Sequence, residues 1–400
     1  MENSRHAAVR FELQWRSADA VHSEHYHMSN LNLWRDFLPG DLADMLGRAA
    51  VGDTVEQSFR PGELVEPYGR HNVFPARRNQ FRDNYRGTFN LRPRLGRFFP
   101  RALIPGVGDT FEDDIRPFRV IALDEQQFQA DCNHPLASYE LTVRATLLEQ
   151  LPGGAEHGGR CNDIPDMLCG RGPGMQASLP GIATDLLDET AFERMDARDD
   201  REFYTNPRMV QHLDAAARGE ISALYGRLLQ PGMRVLDLMT SWDSHLPALE
   251  GLHVTGLGLN SAEMEHNARL DERVVHDINA AATLPFGDGQ FDGAVCTASV
   301  EYLIEPFAVF TELARVLKPG APLVVTFSDR WFPTKSIRAW EELHPFERVA
   351  LVLEYFRRDE RFTDLQTLSV RNLPRPADDK YYGQLHSADP VFAVWGRRSD

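Results

Sequence analysis

The sequence has 400 residues, of which 42% are hydrophobic, and this is enough material for two or three domains with cores of their own. The formal net charge of −16 argues against nucleic-acid binding as the main activity, because a phosphate backbone repels an acidic surface. With four scattered cysteines, no basic and apolar leader and no run of roughly 20 apolar residues, we expect a cytoplasmic protein that does not use a membrane.

Residues 7–150 are typical of short alternating strands rather than of long helices. A strand is predicted at 9–15, and a short helix at 37–46 begins with a Pro-Gly turn and an aspartate suited to capping. Another strand follows the turn at 51–56. Much later, the motif Asn133-His134-Pro135-Leu136-Ala137 leads into a strand at 140–148.

The order of these elements resembles the FKBP-type peptidyl-prolyl isomerases of the SlyD kind. The match covers residues 1–150, and the motif at 133–137 is its most specific part. The resemblance implies an α+β FKBP-like barrel, interrupted by an inserted flap at about 73–128. It also implies a pocket for a proline-containing peptide, in which Leu38 and Tyr68 occupy matching positions.

Three positions of that pocket depart from the family. Leu13 and Val143 stand where the family has aromatic residues, and Glu24 stands where it has aspartate. Two missing rings remove much of the wall that would grip proline. Isomerase catalysis, peptide binding or docking, and a purely structural barrel all remain open for this domain.

Residues 151–200 form a Gly-rich linker. Cys161 and Cys169, together with His157, suggest a metal site, although their spacing fits no standard zinc pattern. The alternative is a strap at 175–181 that packs across the next domain, with both cysteines buried.

Three histidines near the beginning of the chain could also form either a metal site or a purely structural feature. His22, His25 and His27 are expected to alternate on one face of a predicted strand. They form either a metal site or a polar edge of the barrel, and we favour the polar edge. We therefore predict no metal in this protein.

Residues 201–400 repeat a pattern of short apolar strands followed by polar residues. The predicted strands lie at 235–239, 253–260, 273–277, 291–296, 322–328, 362–370 and 391–395, which gives seven. A helix through Leu213 to Leu229 precedes them, and a long helix is predicted at 336–358. Polar residues at the carboxyl ends of parallel strands favour a ligand site at that edge, including the segment 329–335.

Four motifs carry a second resemblance. Asp237 ends the first of these strands, Asp277 ends the third, and the segments 284–292 and 313–320 precede the fourth and fifth. Together they resemble the class I S-adenosylmethionine-dependent methyltransferases, which implies an α/β Rossmann-like domain that binds S-adenosylmethionine. In that family the loop after strand one passes the methionine part, the end of strand two binds the ribose, and the acid of strand three faces the adenine. The matching cofactor-binding residues are Asp237, Met239, Thr240, Ser241, Asn260, Asp277, Ile278 and Ser299.

Two features depart from this second family. The loop at 239–245 contains no glycine, although close approach of backbone to a ligand usually needs one. Asn260 stands where the family has an acid, so it can bond a hydroxyl but brings no charge. Either Thr240 and Ser241 replace the missing contacts, or the site is degenerate. We favour a working site, because the other motifs are intact.

His245 is the candidate catalytic base, since it lies on the predicted cofactor edge. Methyl transfer to an acceptor that is already nucleophilic needs little acid-base help, because proximity and orientation lower much of the barrier. Tyr204, just before the sheet, is either a lid over the cofactor or an ordinary packing residue.

The acceptor remains open between a small metabolite, a peptide and a protein side chain, and the oligomeric state is open as well. A barrel that presents a peptide to the methyltransferase across the linker is one hypothesis, because tethering raises local concentration. A chaperone-like protein with a structural methyltransferase domain is the competing one.

Overall fold

The computed structural model describes residues 6–85, 88–89, 91–153 and 159–400. The chain forms two compact units, which we call the first unit (Met1–Asp188 with Glu342–Ala350) and the second unit (Glu189–Glu341 with Leu351–Asp400). The first unit thus includes most of the segment that the sequence predicts to be a linker. Within the described ranges, no helix has the length and apolar character needed to cross a membrane.

The first unit is built mainly from strands. In chain order its elements are β1 (His6–Arg16), β2 (Val21–Asn32), α1 (Leu42–Arg48), β3 (Thr54–Phe59), β4 (Val73–Arg77), β5 (Asn84–Tyr85), β6 (Thr88–Phe89), β7 (Phe98–Pro100), β8 (Pro117–Leu123), β9 (Gln127–Asp131), β10 (Leu141–Leu151) and α2 (Ile164–Cys169).

An antiparallel sheet in the order β2-β1-β10-β3 forms the centre of this unit. Alternate residues of β10, from Leu141 to Leu147, are buried, as expected for a strand with one face on a core. Leu42 and Leu46 of α1 belong to the same core. The described strands do not close on themselves here, so the FKBP-like barrel is not shown.

A separate antiparallel sheet, in the order β4-β9-β8-β7, occupies the region of the predicted flap insert, and its strand β9 extends past the predicted end at 128 to Asp131. It has its own core, in which Phe81 packs edge-on against Phe99, Phe118 and Phe128 at centroid distances of 5.1 to 6.5 Å. Edge-to-face packing of aromatic rings adds to the gain from burial. The insert is therefore a small layer with a hydrophobic centre rather than a loop.

The segment after β10 packs into the core of the first unit. Cys169 and Ala177 are 1% and 3% exposed and belong to the same cluster as the central sheet. Gln176 Nε2 donates a hydrogen bond of 2.6 Å to Oε1 of Glu24, whose side chain is also buried. Cys161 is exposed, so the expectation that both cysteines are buried is wrong for that residue.

The second unit alternates helices and strands. Its elements are α3 (Asp200–Phe203), α4 (Ala215–Leu228), β11 (Arg234–Leu238), β12 (His253–Gly258), α5 (Ser261–His266), β13 (Glu272–Val275), β14 (Gly293–Thr297), α6 (Pro306–Val316), β15 (Pro322–Phe327), α7 (Arg338–Glu342), α8 (Pro345–Asp359), β16 (Phe362–Arg371) and β17 (Val391–Arg398), the last helices running across the limits of the units.

Its strands follow the order β13-β12-β11-β14-β15-β17-β16. The first five are parallel, and β17 runs antiparallel to β15 and to β16. All six residues of β15 are buried, as expected for a strand covered on both faces. This topology confirms the prediction of seven strands and brings the carboxyl ends of β11, β12 and β14 to one edge.

The long helix predicted at 336–358 is wrong, because two helices, α7 and α8, occupy this range. Pro345 begins α8. Proline has no backbone N–H and disfavours helical geometry in the residue before it, so the helix is interrupted at His344.

Candidate active site

The second unit contains a cavity of about 540 Å³ at the carboxyl ends of its parallel strands. Cavities of this size are typical of sites for small molecules and cofactors. The structure brings the candidate base and all predicted cofactor-binding residues to its wall: Asp237, Met239, Thr240, Ser241, His245, Asn260, Asp277, Ile278 and Ser299.

Asp237, the last residue but one of β11, is the most deeply buried acid of this wall. Its side chain accepts hydrogen bonds from Thr240 Oγ1, at 2.5 Å, and from Ser244. Burial raises the pKa of Asp237 from 3.8 to about 6, since a charge is costly away from water. The group can therefore ionise near neutral pH when a cation binds beside it.

The loop at 239–245 contains no glycine, but it packs closely against two glycines of the neighbouring strand β12. A Cβ atom on Gly258 would lie 2.3 Å from the Thr240 carbonyl oxygen, and one on Gly256 would lie 2.7 Å from Thr240 Cγ2. Met239 and His245 adopt left-handed conformations, with φ of 56° and 53°. Such angles cost energy for residues with a side chain, so the surrounding contacts must hold the loop in place.

Asn260 acts as the N-cap of α5. Its Oδ1 accepts from the Glu263 N–H at 3.1 Å, and its Nδ2 donates to the Tyr204 carbonyl at 2.8 Å. Glu263 is 6% exposed and accepts from Ser241 Oγ and from the Arg208 N–H, both at 2.6 Å. A carboxylate therefore reaches this wall three residues after Asn260.

Sequence reasoning missed Glu263 as a residue of the site. A signal was present, since a capping residue followed three positions later by Glu is typical of a helix start. That pattern would have placed the Glu263 carboxylate at the carboxyl end of β12, beside the predicted ribose position.

Asp277 shapes the turn after β13. Its Oδ1 accepts from the N–H groups of Asn279 and Ala280 at 3.0 and 3.1 Å, and its Oδ2 lies 3.8 Å from Arg201 Nε. Ile278, only 4% exposed, lines the cavity beside it. Ser299 Oγ donates to the Thr297 carbonyl at 2.9 Å.

The segment 329–335 divides into two parts. Asp329 to Pro333 line the cavity, as expected for an acceptor edge. Lys335 is fully buried, and its Nζ lies 3.0 Å from Asp200 Oδ1 and 2.8 Å from the Arg198 carbonyl. The expectation that the whole segment faces an acceptor is therefore wrong for Lys335, which holds the chain around Asp200.

Aromatic rings surround the Arg208 side chain on another wall. Its Cζ lies 4.4 Å from the Phe203 ring centroid and 5.2 Å from that of Phe332. Tyr204 also lines the cavity, and burial raises the pKa of its phenol well above the usual value. Tyr204 thus contacts the cavity and packs at the same time.

His245 pairs with Asp243 in the loop after β11. His245 Nδ1 lies 3.2 Å from Asp243 Oδ2, and the His245 N–H donates to Asp243 Oδ1 at 3.0 Å. Gln211 Nε2 donates to Asp243 Oδ2 at 2.7 Å. The hydrogen bond from His245 holds the pKa of Asp243 well below its usual range, so this carboxylate stays ionised.

The predicted isomerase pocket has a different character. Leu13, Val143 and Leu38 are 0%, 0% and 6% exposed and belong to the core of the first unit. Tyr68, by contrast, is 47% exposed. The structure therefore buries one of the two predicted pocket residues and leaves the other on the surface.

The three histidines of β2 do not share one face. His22 stacks on Trp15 at a centroid distance of 3.9 Å, whereas His25 Nε2 lies 3.8 Å from Glu12 Oε2. The expectation of a common face was wrong because residues 22 and 25 are an odd number of positions apart in a strand. No group of three or more metal-binding side chains occurs in the part of the chain that the structure describes, and His157 lies outside it.

Residues 239–325 match the family described as Methyltransferase domain. Over 156 residues the chain is 26% identical to a ubiquinone/menaquinone biosynthesis C-methyltransferase of Laribacter hongkongensis, covering 36% of this chain and 63% of the relative. Over 159 residues it is 26% identical to an O-methyltransferase of Penicillium expansum, covering 36% and 58%. A crystal structure of a SAM-dependent methyltransferase from Aquifex aeolicus is 20% identical, with a TM-score of 0.31, covering 49% of this chain and 96% of that chain. The chain thus spans less than two thirds of the length of the two curated relatives.

Proposed function

We propose that the second unit, which contains an S-adenosylmethionine-dependent methyltransferase domain, methylates a small molecule bound in the cavity beside Asp237. The observation that carries this proposal is the convergence of every predicted cofactor-binding residue on one cavity of about 540 Å³. The cofactor supplies a methyl group on a positively charged sulfur.

The charges of the cavity fit this cofactor. Asp237, Glu263 and Asp277 are 2%, 6% and 6% exposed and contribute buried carboxylates to the wall. S-adenosylmethionine carries an ammonium and a sulfonium group, and buried acids interact strongly with such cations. Gly258 lets the Thr240 backbone lie against β12, which leaves the space above it for a ligand.

The resemblance assigns a part of the cofactor to each wall. Asp277 and Ile278 would hold the adenine, and Thr240 and Ser241 would lie along the methionine part. The side chain of Asn260 is used to cap α5 and to bind the Tyr204 carbonyl. We therefore propose that the charge missing at Asn260 comes from Glu263, whose carboxylate lies on the same wall.

The acceptor side favours a small molecule. Beyond the cofactor walls, Trp331, Phe332 and His212 line the cavity, and Arg330 and Lys380 add cationic groups. Flat rings and a few charged groups suit a compact organic acceptor. Both curated relatives reported above are named as C- or O-methyltransferases, which leaves the methylated atom open.

Isothermal titration of the full chain with S-adenosylmethionine and S-adenosylhomocysteine tests the proposal. We expect saturable heat and a rise in Tm with either ligand, because a ligand that binds only the folded state stabilises it. An absence of both heat and thermal shift at millimolar ligand contradicts the proposal.

For the first unit we propose a supporting role rather than peptidyl-prolyl isomerisation. Leu13 and Val143 are fully buried, and Gln176 from the same unit bonds the buried Glu24. A proline ring would have to displace these packed groups. The full chain is therefore expected not to accelerate cis/trans exchange in a proline-containing peptide. Acceleration that Tyr68→Ala abolishes would support the isomerase instead.

A further inference from the structure

We infer that the methyl acceptor is a hydroxyl group and that His245 removes its proton. This inference rests on the proposed function and adds the acceptor atom, which neither the cavity nor the relatives decide. It starts from the arrangement of His245, Asp243 and Gln211, all of which line the cavity.

Asp243 contacts His245 at two points, the backbone N–H and the ring. One carboxylate oxygen accepts from the His245 backbone N–H at 3.0 Å, and the other lies 3.2 Å from Nδ1. Gln211 Nε2 holds the second oxygen in place at 2.7 Å. This chain of contacts orients the ring, as a carboxylate orients the histidine of other base-assisted sites.

The pairing determines which ring nitrogen can accept a proton. The ionised Asp243 accepts from Nδ1–H, so the neutral imidazole carries its lone pair on Nε2. Within the described part of the chain, the contacts of His245 with Asp243 use Nδ1 and the backbone N–H and leave Nε2 unused, and the side chain lines the cavity. The atom that can act as a base is therefore the one left available to a ligand.

The backbone of the loop places this side chain at an energetic cost. His245 has a φ of 53°, and Met239, at the other end of the loop, has a φ of 56°. Trp242 Nε1 donates to the Val210 carbonyl at 3.1 Å and ties the middle of the loop to the segment before α4. Strained residues that surrounding contacts keep in place are concentrated at functional sites.

The proposed step uses only the acceptor hydroxyl, His245 and the methyl group on the sulfur of S-adenosylmethionine. The acceptor O–H transfers its proton to Nε2 of His245, and the oxygen electron pair forms the new bond to the methyl carbon. The carbon–sulfur bond breaks, and its electron pair stays on sulfur. His245 leaves the step as an imidazolium stabilised by Asp243, and it returns its proton to water after the products leave.

A hydroxyl needs this help more than an amine or a thiol does. Neutral amines already carry a lone pair, and thiols lose their proton readily, whereas a phenol or alcohol is a poor nucleophile until it is deprotonated. A base positioned within hydrogen-bond reach contributes most in that case. The Asp243–His245 pair therefore favours a hydroxyl over an amine or a thiol as the acceptor group.

The first test needs no acceptor. The full chain is labelled with 15N-histidine, saturated with S-adenosylhomocysteine and studied by NMR, with His245→Gln to assign the signal. We expect the Nδ1–H tautomer in the wild type and its loss in Asp243→Asn. A wild-type His245 with the proton on Nε2 overturns the inference. His266→Gln, on an exposed helix position, is the control for loss of a histidine.

The second test identifies the methylated atom. The full chain is incubated with S-adenosylmethionine that carries a 13C methyl group and with a deproteinised metabolite extract, and the product is classified by its 13C chemical shift. We expect O–CH3, and a rate lower by about a hundredfold or more in His245→Gln at nearly unchanged cofactor affinity. An N–CH3 or C–CH3 product overturns the hydroxyl inference and leaves the proposed function standing. No transferred label contradicts the proposed function itself.

Discussion

The two units differ in what occupies the space against their sheets. In the first unit the chain itself fills it, since Gln176 and Ala177 are each 3% exposed and pack with the central sheet. In the second unit a cavity of about 540 Å³ remains at the carboxyl edge. Buried polar groups need hydrogen-bond partners. Side chains of the same unit supply these partners in the first unit, whereas the cavity of the second unit leaves room for a ligand to supply them.

The partners of the buried acids make this difference specific. Glu24 of the first unit accepts from Gln176 and from Trp15 Nε1, at 2.6 and 3.4 Å. In the described part of the second unit, Asp237 and Asp277 accept hydrogen bonds from hydroxyls and N–H groups of their own turns, Arg201 Nε lies 3.8 Å from Asp277, and both carboxylates line the cavity. Buried acidic residues thus occur both in the closed core of the first unit and in the wall of the cavity of the second unit.

The largest effect is expected from Gly258→Ala. The new Cβ would lie 2.3 Å from the Thr240 carbonyl oxygen, which is backbone and cannot swing aside. Displacing Thr240 also breaks its hydrogen bond to Asp237. We expect affinity for S-adenosylhomocysteine to fall by about a hundredfold or more, or about 2.7 kcal/mol, as measured by titration calorimetry.

Gly219→Ala is the matched control, because a Cβ there meets nothing within 4 Å. Gly219 lies in α4, where Ala favours helix over Gly by about 1 kcal/mol. The control should bind the ligand like the wild type. A Gly258→Ala protein that binds equally well would show that the loop does not need this close approach.

Asp277→Ala should weaken S-adenosylmethionine binding by roughly tenfold to a hundredfold, about 1.5 to 3 kcal/mol, because a charge-assisted hydrogen bond is lost. Asp277→Asn separates charge from shape, since its amide oxygen can still accept from the N–H groups of Asn279 and Ala280. We expect an intermediate affinity for Asn. If both variants bind like the wild type, the assignment of Asp277 to the adenine is wrong.

Gln176→Leu should act on the first unit alone. It removes the donor 2.6 Å from the buried Glu24 carboxylate, which costs about 1 to 3 kcal/mol of unfolding free energy. Urea denaturation measures this loss, and Gln126→Leu, at an exposed position, is the control. Cofactor affinity should stay unchanged. A parallel loss of cofactor affinity would mean that the two units do not divide structure and ligand binding as argued above.

The smallest effect concerns pH and Asp237, whose pKa burial raises to about 6. Because the folded state holds this proton more tightly than the unfolded chain, the stability that Asp237 contributes is full below about pH 4 and is lost as the pH rises through 6. A cationic ligand instead favours the ionised form. At pH 5 only about one tenth of the group is ionised, so affinity for S-adenosylmethionine should be about tenfold lower than at pH 7.

5′-Methylthioadenosine, which lacks the charged amino-acid part, is the control ligand for this pH effect. Its affinity should change little between pH 5 and 7. Asp237→Asn should likewise flatten the dependence for S-adenosylmethionine. An equal pH dependence for both ligands would remove Asp237 as its source.

The sequence predicted the second unit well because its signals are local. Asp237 lies in β11 and Asp277 follows β13 by two residues, so the predicted strand ends indicated both the parallel sheet and the edge at which the cavity lies. The polar loop with Asp243 and His245 was visible too, but the distance between the two side chains was not. The role of Gln211 could not be predicted from the sequence, because its hydrogen bond to Asp243 connects residues that are 32 positions apart.

The glycine-free loop shows where local reasoning ended. From the sequence, the absence of glycine at 239–245 left a degenerate site open as the alternative to the working site that we favoured. In the structure the space comes from Gly256 and Gly258 on the adjacent strand, which is a pairing between strands that single-sequence patterns do not contain. The burial of Gln176 against Glu24 was hidden for the same reason, since the two residues are 152 positions apart.

A crystal structure of the full chain grown with saturating S-adenosylhomocysteine tests the central claim most directly. We expect the ligand in the cavity of the second unit, with its adenine beside Asp277 and Ile278 and its amino group near Asp237. An empty cavity at saturating ligand, or a ligand bound only elsewhere on the chain, would contradict the proposed cofactor site.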